Sequence, residues 1–281
     1  MRKILIPTDF SKNAKNAIDY AIELYKNEAC EFYILNAFYT IDFATDTILV
    51  PEIGEIAYKS AKENSEKELK TTLKEIQKNN IYNHNFIIIS KFNSLLNSID
   101  ELVEKEQIDL IIMGTQGATN AVEIVFGSNT VMVMENVRYC PVLAVPSEVK
   151  FTKPKEIVFP TSYNTHYKRR ELKQLIDITS INNSSIRILH IEDEKNKTLN
   201  NIQKINKELL EEYFEGLDYS FHVIFQVELE VALDCFVQSR TSDMIAFINK
   251  KHSFLDTIFK SHLVQKLGYK SRVPLLTMHD L

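Results

Sequence analysis

The chain has 281 residues, 44% of them hydrophobic and 25% charged, with a formal net charge of −5 at pH 7. This composition predicts a globular protein with apolar residues for up to two cores. Lysine and arginine are spread along the chain, so no basic patch indicates nucleic-acid binding, and no apolar run approaches the ~18 residues of a membrane helix. The apolar run before Pro7 is shorter than the ~7–15 residues of a signal peptide. We therefore expect a cytoplasmic protein with neither nucleic acid nor membrane as a partner.

Short apolar runs alternate with amphipathic segments through the first half of the chain. The predicted strands are Lys3–Ile6, Glu31–Leu35, Phe86–Ile89, Asp109–Met113 and Val142–Val145. The predicted helices begin at Ser11, cover about Glu55–Asn80, begin at Ser94, and cover Ser128–Val137, with residues 38–54 as a loop. Continuous apolar strands that alternate with helices predict an α/β fold with a doubly wound parallel sheet.

The same order of landmarks begins again after a linker at Lys150–Pro154. Four segments of the second half resemble the regions of the first, second, fourth and fifth predicted strands. They are residues 155–161, 186–191, 243–247 and 274–277. Because whole-domain landmarks recur in sequence, the pattern predicts an internal duplication rather than a solenoid of short repeats. We therefore predict two tandem domains, residues 1–149 and 155–281.

Glycine is concentrated in one short segment of the first half. The chain has six glycines, and three of them are Gly114, Gly117 and Gly127. Gly114 would let a base or ribose approach the backbone, and Gly117 would turn the chain. Gly127 precedes a predicted helix, so phosphate oxygens could reach the free N–H groups of its first turn, beside the side chains of Ser128, Asn129 and Thr130.

The other half of such a site would come from the end of the first strand, which carries Pro7, Thr8 and Asp9. In doubly wound sheets the ligand crevice lies at the carboxyl ends of the strands, where the winding reverses. The ends of strands one and four would form this crevice if those strands are neighbours. The alternatives are that Gly114 and Gly117 are ordinary turn glycines and that Asp9 caps the first helix.

These residues together resemble the universal stress protein family. The resemblance is carried by Ile4–Ser11, by the spacing Gly114-x2-Gly117-x9-Gly127-Ser128, and by Cys140–Pro146. It covers nearly all of residues 1–147 and, more weakly, 155–281. It implies a five-stranded parallel sheet of order 3-2-1-4-5 in each domain, of the Rossmann-like, adenine nucleotide alpha hydrolase-like type. It also implies pairing between fifth strands, Val142–Val145 with Leu275–Thr277, within one chain or between two chains of a homodimer.

The resemblance further implies ATP, with or without Mg²⁺, as the ligand of the first domain. Thr8 and Asp9, following Pro7, would face the base and ribose, and Ala37 would line the adenine. Met113 and Gly114 would line its other side. Ribose and phosphates would be held by Gly117, Gly127, Ser128, Asn129 and Thr130. The expected role is regulatory, in a stress response.

The second half departs from this pattern at the glycine positions. Gly114, Gly117 and Gly127 correspond there to Ile248, Lys251 and Ser261, and Asp9 corresponds to Ser162. Side chains then stand on the expected phosphate path, so we expect no ATP in the second domain. The cluster of Lys250, Lys251 and His252 is read as an exposed basic turn rather than as a site for another anion.

Two other functions stay open from the sequence. One is a ligand-free scaffold in which the doubled fold acts as an interaction module. The other is a slow ATP hydrolase, which would need a base and a metal-binding carboxylate. Asp9 is the only obvious acidic candidate, and no general base is evident. We therefore predict no catalytic residues and at most weak hydrolysis. The histidines and the three cysteines show no metal-ligand spacing, so no metal site is predicted.

Overall fold

A computed structural model describes residues 1–39, 51–79, 81–115, 127–192, 198–249 and 273–280. Ten strands form one sheet in the order β3-β2-β1-β4-β5-β10-β9-β6-β7-β8. The strands are β1 (Arg2–Pro7), β2 (Cys30–Phe38), β3 (His84–Phe92), β4 (Leu110–Gly114), β5 (Val142–Val145), β6 (Glu156–Pro160), β7 (Ser185–Glu192), β8 (Asp218–Phe225), β9 (Met244–Asn249) and β10 (Leu275–His279). Each half therefore has the order 3-2-1-4-5, as expected, and the two five-stranded sheets are joined into one.

Helices connect the parallel strands and cover both faces of the sheet. They are α1 (Lys12–Leu24), α2 (Pro51–Asn79), α3 (Leu95–Glu106), α4 (Ser128–Asn136), α5 (Lys173–Asn182), α6 (Asn201–Tyr213) and α7 (Leu229–Arg240), with a 3₁₀ turn at Arg169–Leu172 before α5. Ser11 and Ser94 are N-caps, and their hydroxyls accept from the third residue along, at 3.1 and 3.2 Å. Both helices therefore begin where the sequence predicts. None of the described helices is long and apolar enough to span a membrane.

The strand registers of the two halves match residue for residue. Leu5 pairs with Ile111 and, in the second half, Val158 pairs with Ile245. Gly114 pairs with Val145, and Ile248 pairs with Met278. The matched registers place Ile248 at the position of Gly114.

The halves meet through their fifth strands within the single chain. β5 and β10 are antiparallel, and Leu276 pairs with Leu143. Below this seam, the Arg2 guanidinium donates to Asp177 at 3.1 Å, and the Gln174 amide donates to the buried Tyr25 hydroxyl at 2.8 Å. The sheet, with one apolar layer on each face, is therefore continuous from one half to the other.

Glu156 and His279 are among the titratable groups of the second half whose pKa values are displaced. Burial alone would raise the pKa of Glu156, but hydrogen bonds from Arg240, Arg187 and Ser242 lower it to about 2. At the end of β10, burial lowers the pKa of His279 to about 4. Both groups therefore link folding of the second half to pH.

Several element boundaries differ from the sequence predictions. The structure has α2 beginning at Pro51 rather than near Glu55, because proline suits the first position of a helix. β2 begins at Cys30 and continues to Phe38, beyond the predicted Glu31–Leu35, and Ala37 lies near its end. β3 has nine residues, all paired with β2, where a core of four was predicted.

Candidate functional site

A cavity of about 210 Å³ opens at the carboxyl ends of β1 and β4, the neighbouring strands at which the winding reverses. Its walls come from the ends of β1, β2 and β4 and from the first turns of three helices. It is lined by Pro7, Thr8, Asp9, Ala14, Asn36, Ala37, Leu95, Met113, Gly114, Gly127, Ser128, Asn129 and Thr130. The structure thus brings ten of the eleven predicted site residues to one cavity. The eleventh, Gly117, lies outside the described residues.

The turn from β1 to α1 is held by its own side chains. The Thr8 hydroxyl accepts from the Phe10 amide at 3.0 Å, and one Asp9 carboxylate oxygen accepts from the Ser11 amide at 3.0 Å. Phe10 has a φ of 64°, in the left-handed region that a bulky residue rarely occupies. Asp9 therefore precedes the N-cap and braces the turn, and its exposed carboxylate keeps a second oxygen for other bonds.

The first turn of α4 forms the opposite wall. Gly127 is the N-cap residue and has no side chain to accept from the helix amides. The amides of Thr130 and Val131 already bond to the Gly127 carbonyl, at 3.1 and 3.2 Å. The amides of Ser128 and Asn129 are the next donors of the helix start, where the helix dipole favours an anion. This wall is thus suited to negatively charged oxygen atoms.

Thr130 has a different role from the one predicted. Its side chain is buried, and its hydroxyl donates to the Gly114 carbonyl at 2.8 Å. The Gly127 amide also donates to the Thr115 carbonyl, so both ends of the loop between β4 and α4 meet. Thr130 therefore holds α4 against the end of β4, and a ligand could use its hydroxyl oxygen only as an acceptor.

Gly114 lies against a neighbour within the protein. A Cβ at this position would lie 2.6–2.9 Å from side-chain atoms of Asn13, which is buried in the first turn of α1. Real Cβ atoms essentially never come so close to other atoms. The sequence interpretation, in which Gly114 makes room for a base or ribose, is therefore incomplete, since Asn13 already occupies that space.

Sequence reasoning missed three lining residues, Ala14, Asn36 and Leu95. Asn36 is buried, and its Nδ2 donates to the Thr8 carbonyl at 2.8 Å, which fixes the end of β2 to the end of β1. An asparagine at the end of an otherwise apolar strand was the signal that could have revealed it. Ala14 and Leu95 gave no such signal, because each fits its helix as an ordinary apolar residue.

The second half repeats the turn but changes its surroundings. The Thr161 hydroxyl accepts from the Tyr163 amide at 3.0 Å, and Tyr163 has a φ of 57°. His190 replaces Asn36, and its Nδ1 is 2.9 Å from the Thr161 carbonyl, so that nitrogen carries the proton. The Tyr163 ring lies 4.8 Å from the imidazole. Larger side chains thus stand where the first half has an amide and a glycine.

The first helix of the second half also begins later. α1 starts three residues after Asp9, whereas the chain after Ser162 is irregular up to the 3₁₀ turn that precedes α5. A helical residue equivalent to Asn13 is therefore missing, and Ile248 replaces Gly114 and is buried in the same apolar cluster as Tyr163 and Tyr167. Lys250, Lys251, His252 and Ser261, on which the sequence argument also drew, lie outside the described residues.

Other reactive side chains of the described residues do not converge on this cavity. No group of three His, Cys, Asp or Glu side chains suited to a metal ion occurs in the described part of the chain. Burial raises the pKa of the Cys30 thiol to about 12 and raises that of Cys140 as well. Both thiols are therefore protonated at neutral pH and unreactive.

A doubly wound sheet with a glycine-headed helix facing a Pro-Thr-Asp turn defines a class of α/β proteins with a crevice for anionic ligands. The sequence profile of the Universal stress protein family matches residues 1–146. The chain belongs to this family.

Similar proteins agree with this assignment. One universal stress protein of Methanocaldococcus jannaschii is 33% identical over 150 residues, which is 53% of this chain and 84% of that protein. A second from the same organism is 31% identical over 156 residues, covering 51% of this chain and 94% of that protein.

Among solved structures, a universal stress protein from Archaeoglobus fulgidus superimposes with a TM-score of 0.64 at 16% identity, covering 98% of this chain and 95% of that one. A protein from Pseudomonas aeruginosa described as a putative universal stress protein superimposes with a TM-score of 0.62 at 11% identity, covering 99% and 93%. At these identities the likeness shows that the fold of both halves is shared.

Proposed function

We propose that the cavity of the first half binds an adenine nucleotide, ATP with or without Mg²⁺, and that its occupancy serves regulation rather than catalysis. This proposal rests on one observation, which is that two walls with different polar groups face each other across one cavity. One wall is the Pro7-Thr8-Asp9 turn, and the other is the first turn of α4 behind Gly127. Phosphate oxygens suit the amides of that helix start, and a ribose hydroxyl suits the exposed Asp9 carboxylate.

The apolar part of the cavity suits a base. Ala37 lies near the carboxyl end of β2 and Met113 near that of β4, one on each side of β1, and Leu95 lines the space from α3. A purine ring can be buried between such side chains. Gly117 belongs to the same proposal by resemblance, as a further residue that would hold ribose and phosphates.

The role of each half follows from the same comparison. We infer that residues 1–149 form the nucleotide-binding domain and that residues 155–281 form a domain that takes no ATP. His190 and Ile248 replace Asn36 and Gly114 there, so a larger imidazole stands in place of the amide and the glycine of β4 is lost.

Calorimetric titration of the nucleotide-free protein with Mg-ATP tests the proposal. We expect one site per chain. A Gly127→Val variant should lose it, because the added side chain stands beside the first helix amides, and Ala37→Leu should weaken it by filling the cavity. Ile191→Leu, at the position of the second half that matches Ala37, is the control and should leave binding unchanged. Absence of binding at millimolar ATP refutes the proposal, and two sites per chain refute the assignment of the second half.

A scaffold without ligand is the second candidate function. The pairing of β5 with β10 inside one chain supports it, because it gives a dimer-like platform without any nucleotide. Slow hydrolysis is the third candidate, and an assay of phosphate release on the same protein samples with Mg-ATP tests it. A turnover that is lost in Asp9→Asn but kept in Ser162→Ala would favour hydrolysis over pure binding.

A further inference from the structure

A second and larger cavity lies on the outer side of the first half, in the groove between α1 and the C-terminal part of α2. Its volume is about 620 Å³, within the roughly 300–1,000 Å³ of small-molecule sites. Thr8 is the one lining residue that it shares with the cavity at the carboxyl end of the sheet. The two cavities are therefore neighbours with separate walls.

The floor of this groove is apolar. Ile18 and Ile22 of α1 face Ile76 of α2, and these side chains are buried. Ile81 stands at the lip with 86% of its surface exposed, a large apolar side chain in contact with water. An aliphatic chain in the groove would pack on the buried floor and cover the exposed Ile81 side chain, which removes apolar surface from solvent.

The rim of the groove is acidic. Four carboxylates and two lysines line it, namely Asp19, Glu23, Glu68, Glu75, Lys12 and Lys15. Lys15 pairs with Glu75, and Glu23 accepts from the Tyr82 hydroxyl at 2.9 Å and lies 3.5 Å from the Lys26 ammonium. Among the described residues, Asp19 and Glu68 have no cation within 4.0 Å. One lies on α1 and the other on α2, so each wall of the groove offers one such carboxylate.

The charge of Asp19 is also less stable than that of an ordinary surface aspartate. Burial raises the pKa of its carboxyl, and the charges of Lys15 and Lys150 oppose this only in part. A cation brought next to it would relieve this cost.

We propose that this groove binds an aliphatic polyamine, whose ammonium groups pair with Asp19 and Glu68 and whose methylene chain lies over Ile18, Ile22 and Ile76. Carboxylates on both walls match a ligand with a positive charge at each end, and the apolar floor matches the carbon chain between them. An anionic ligand would meet like charges at the rim, and a bare metal ion would leave the Ile81 side chain exposed. The proposal is independent of the nucleotide proposal, because it uses another cavity.

Calorimetric titration with spermidine tests this site in the full, nucleotide-free chain at 150 mM NaCl. We expect a saturable site that is weakened about tenfold in the double variant Asp19→Asn/Glu68→Gln, as the loss of two ion pairs predicts. Glu55→Gln/Glu63→Gln is the matched control, because both side chains are exposed on α2 outside the groove and the net charge changes equally. That control should bind spermidine like the unchanged protein.

Each other outcome overturns the proposal. Equal weakening in both double variants would mean diffuse attraction to an acidic surface, and Mg²⁺ displacing spermidine at equal charge would mean the same. Binding that is lost in Gly127→Val but kept in Asp19→Asn/Glu68→Gln would place spermidine in the other cavity. Absence of heat at millimolar spermidine would leave the groove without this ligand. Melting curves of all variants establish that the fold is retained.

Discussion

The contact between Gly114 and Asn13 predicts that Gly114→Ala destabilises the protein even without any ligand. The added Cβ would lie 2.6–2.9 Å from three atoms of the Asn13 side chain, so that side chain, which is buried, or one of the two elements must shift. Overpacking by one methyl group in a closed site costs about 1–3 kcal/mol. Because each kcal/mol lowers the melting temperature of a protein of this size by roughly 2–4 °C, the loss is measurable by circular dichroism.

A double-mutant cycle separates this contact from other causes. Asn13→Ala removes the obstructing atoms, so the Gly114→Ala change should cost less in that background, with a coupling of about 0.5–3 kcal/mol. Gly216→Ala is the control, since Gly216 has a φ of +83° and no atom within 4 Å of the added Cβ. Its cost is conformational, and Asn13→Ala should not rescue it. A Gly114→Ala protein that is fully stable but no longer binds ATP would refute the reasoning and restore clearance for the ligand as the role of Gly114.

Three further predictions concern the described contacts. The pKa of Glu156 is lowered to about 2, so its stabilising contribution is present above the unfolded pKa of about 4.3 and is lost as the pH falls towards 2. Glu156→Gln should therefore reduce the pH dependence of the unfolding free energy between these values, and an unchanged dependence would contradict this. Buried His279 has a pKa of about 4, so unfolding takes up a proton between about pH 6.5 and 4 and stability falls as the pH falls through that range. His279→Gln should remove this fall of the melting temperature with pH. If the fall persists in the variant, another group causes it. Thr130→Val leaves the Gly114 carbonyl without its 2.8 Å hydrogen bond and should lower the free energy of unfolding in urea by about 1–3 kcal/mol. Ser128→Ala is the control and should cost little, because the N-cap residue of α4 is Gly127 and not Ser128.

Most elements of the fold could be predicted from the sequence, because apolar runs buried on both faces are a strong signal. The strand order was implied only by the resemblance to the family, and the structure has that order in both halves. The ends of the elements could not be predicted. β3 is an edge strand, so it includes polar residues such as the exposed Asn85 while its backbone pairs with β2. Pro51 was read as part of a loop although it begins a helix. These signals are ambiguous without tertiary contacts.

Ten of the predicted site residues lie around one cavity, and their role in binding stays a prediction. The glycine spacing placed them at one corner of the sheet, because turn and helix-start glycines are local features. Gly114 and Thr130 serve contacts inside the protein, and those depend on Asn13 and on the position of α4. Such pairings between distant parts of the chain leave no trace in a single sequence.

The antiparallel pairing of β5 with β10 joins two different strands of one chain, so it lacks the two-fold symmetry of a homodimer interface. Two identical chains that pair through one strand carry every substitution on both sides of their axis. Here Val142–Val145 faces Leu275–Thr277, so the two sides of the seam differ and can change separately. The covalent connection also replaces association at cellular concentration by closure at an effective concentration on the order of millimolar. Dilution therefore does not separate the two halves, and each molecule keeps one half of each kind.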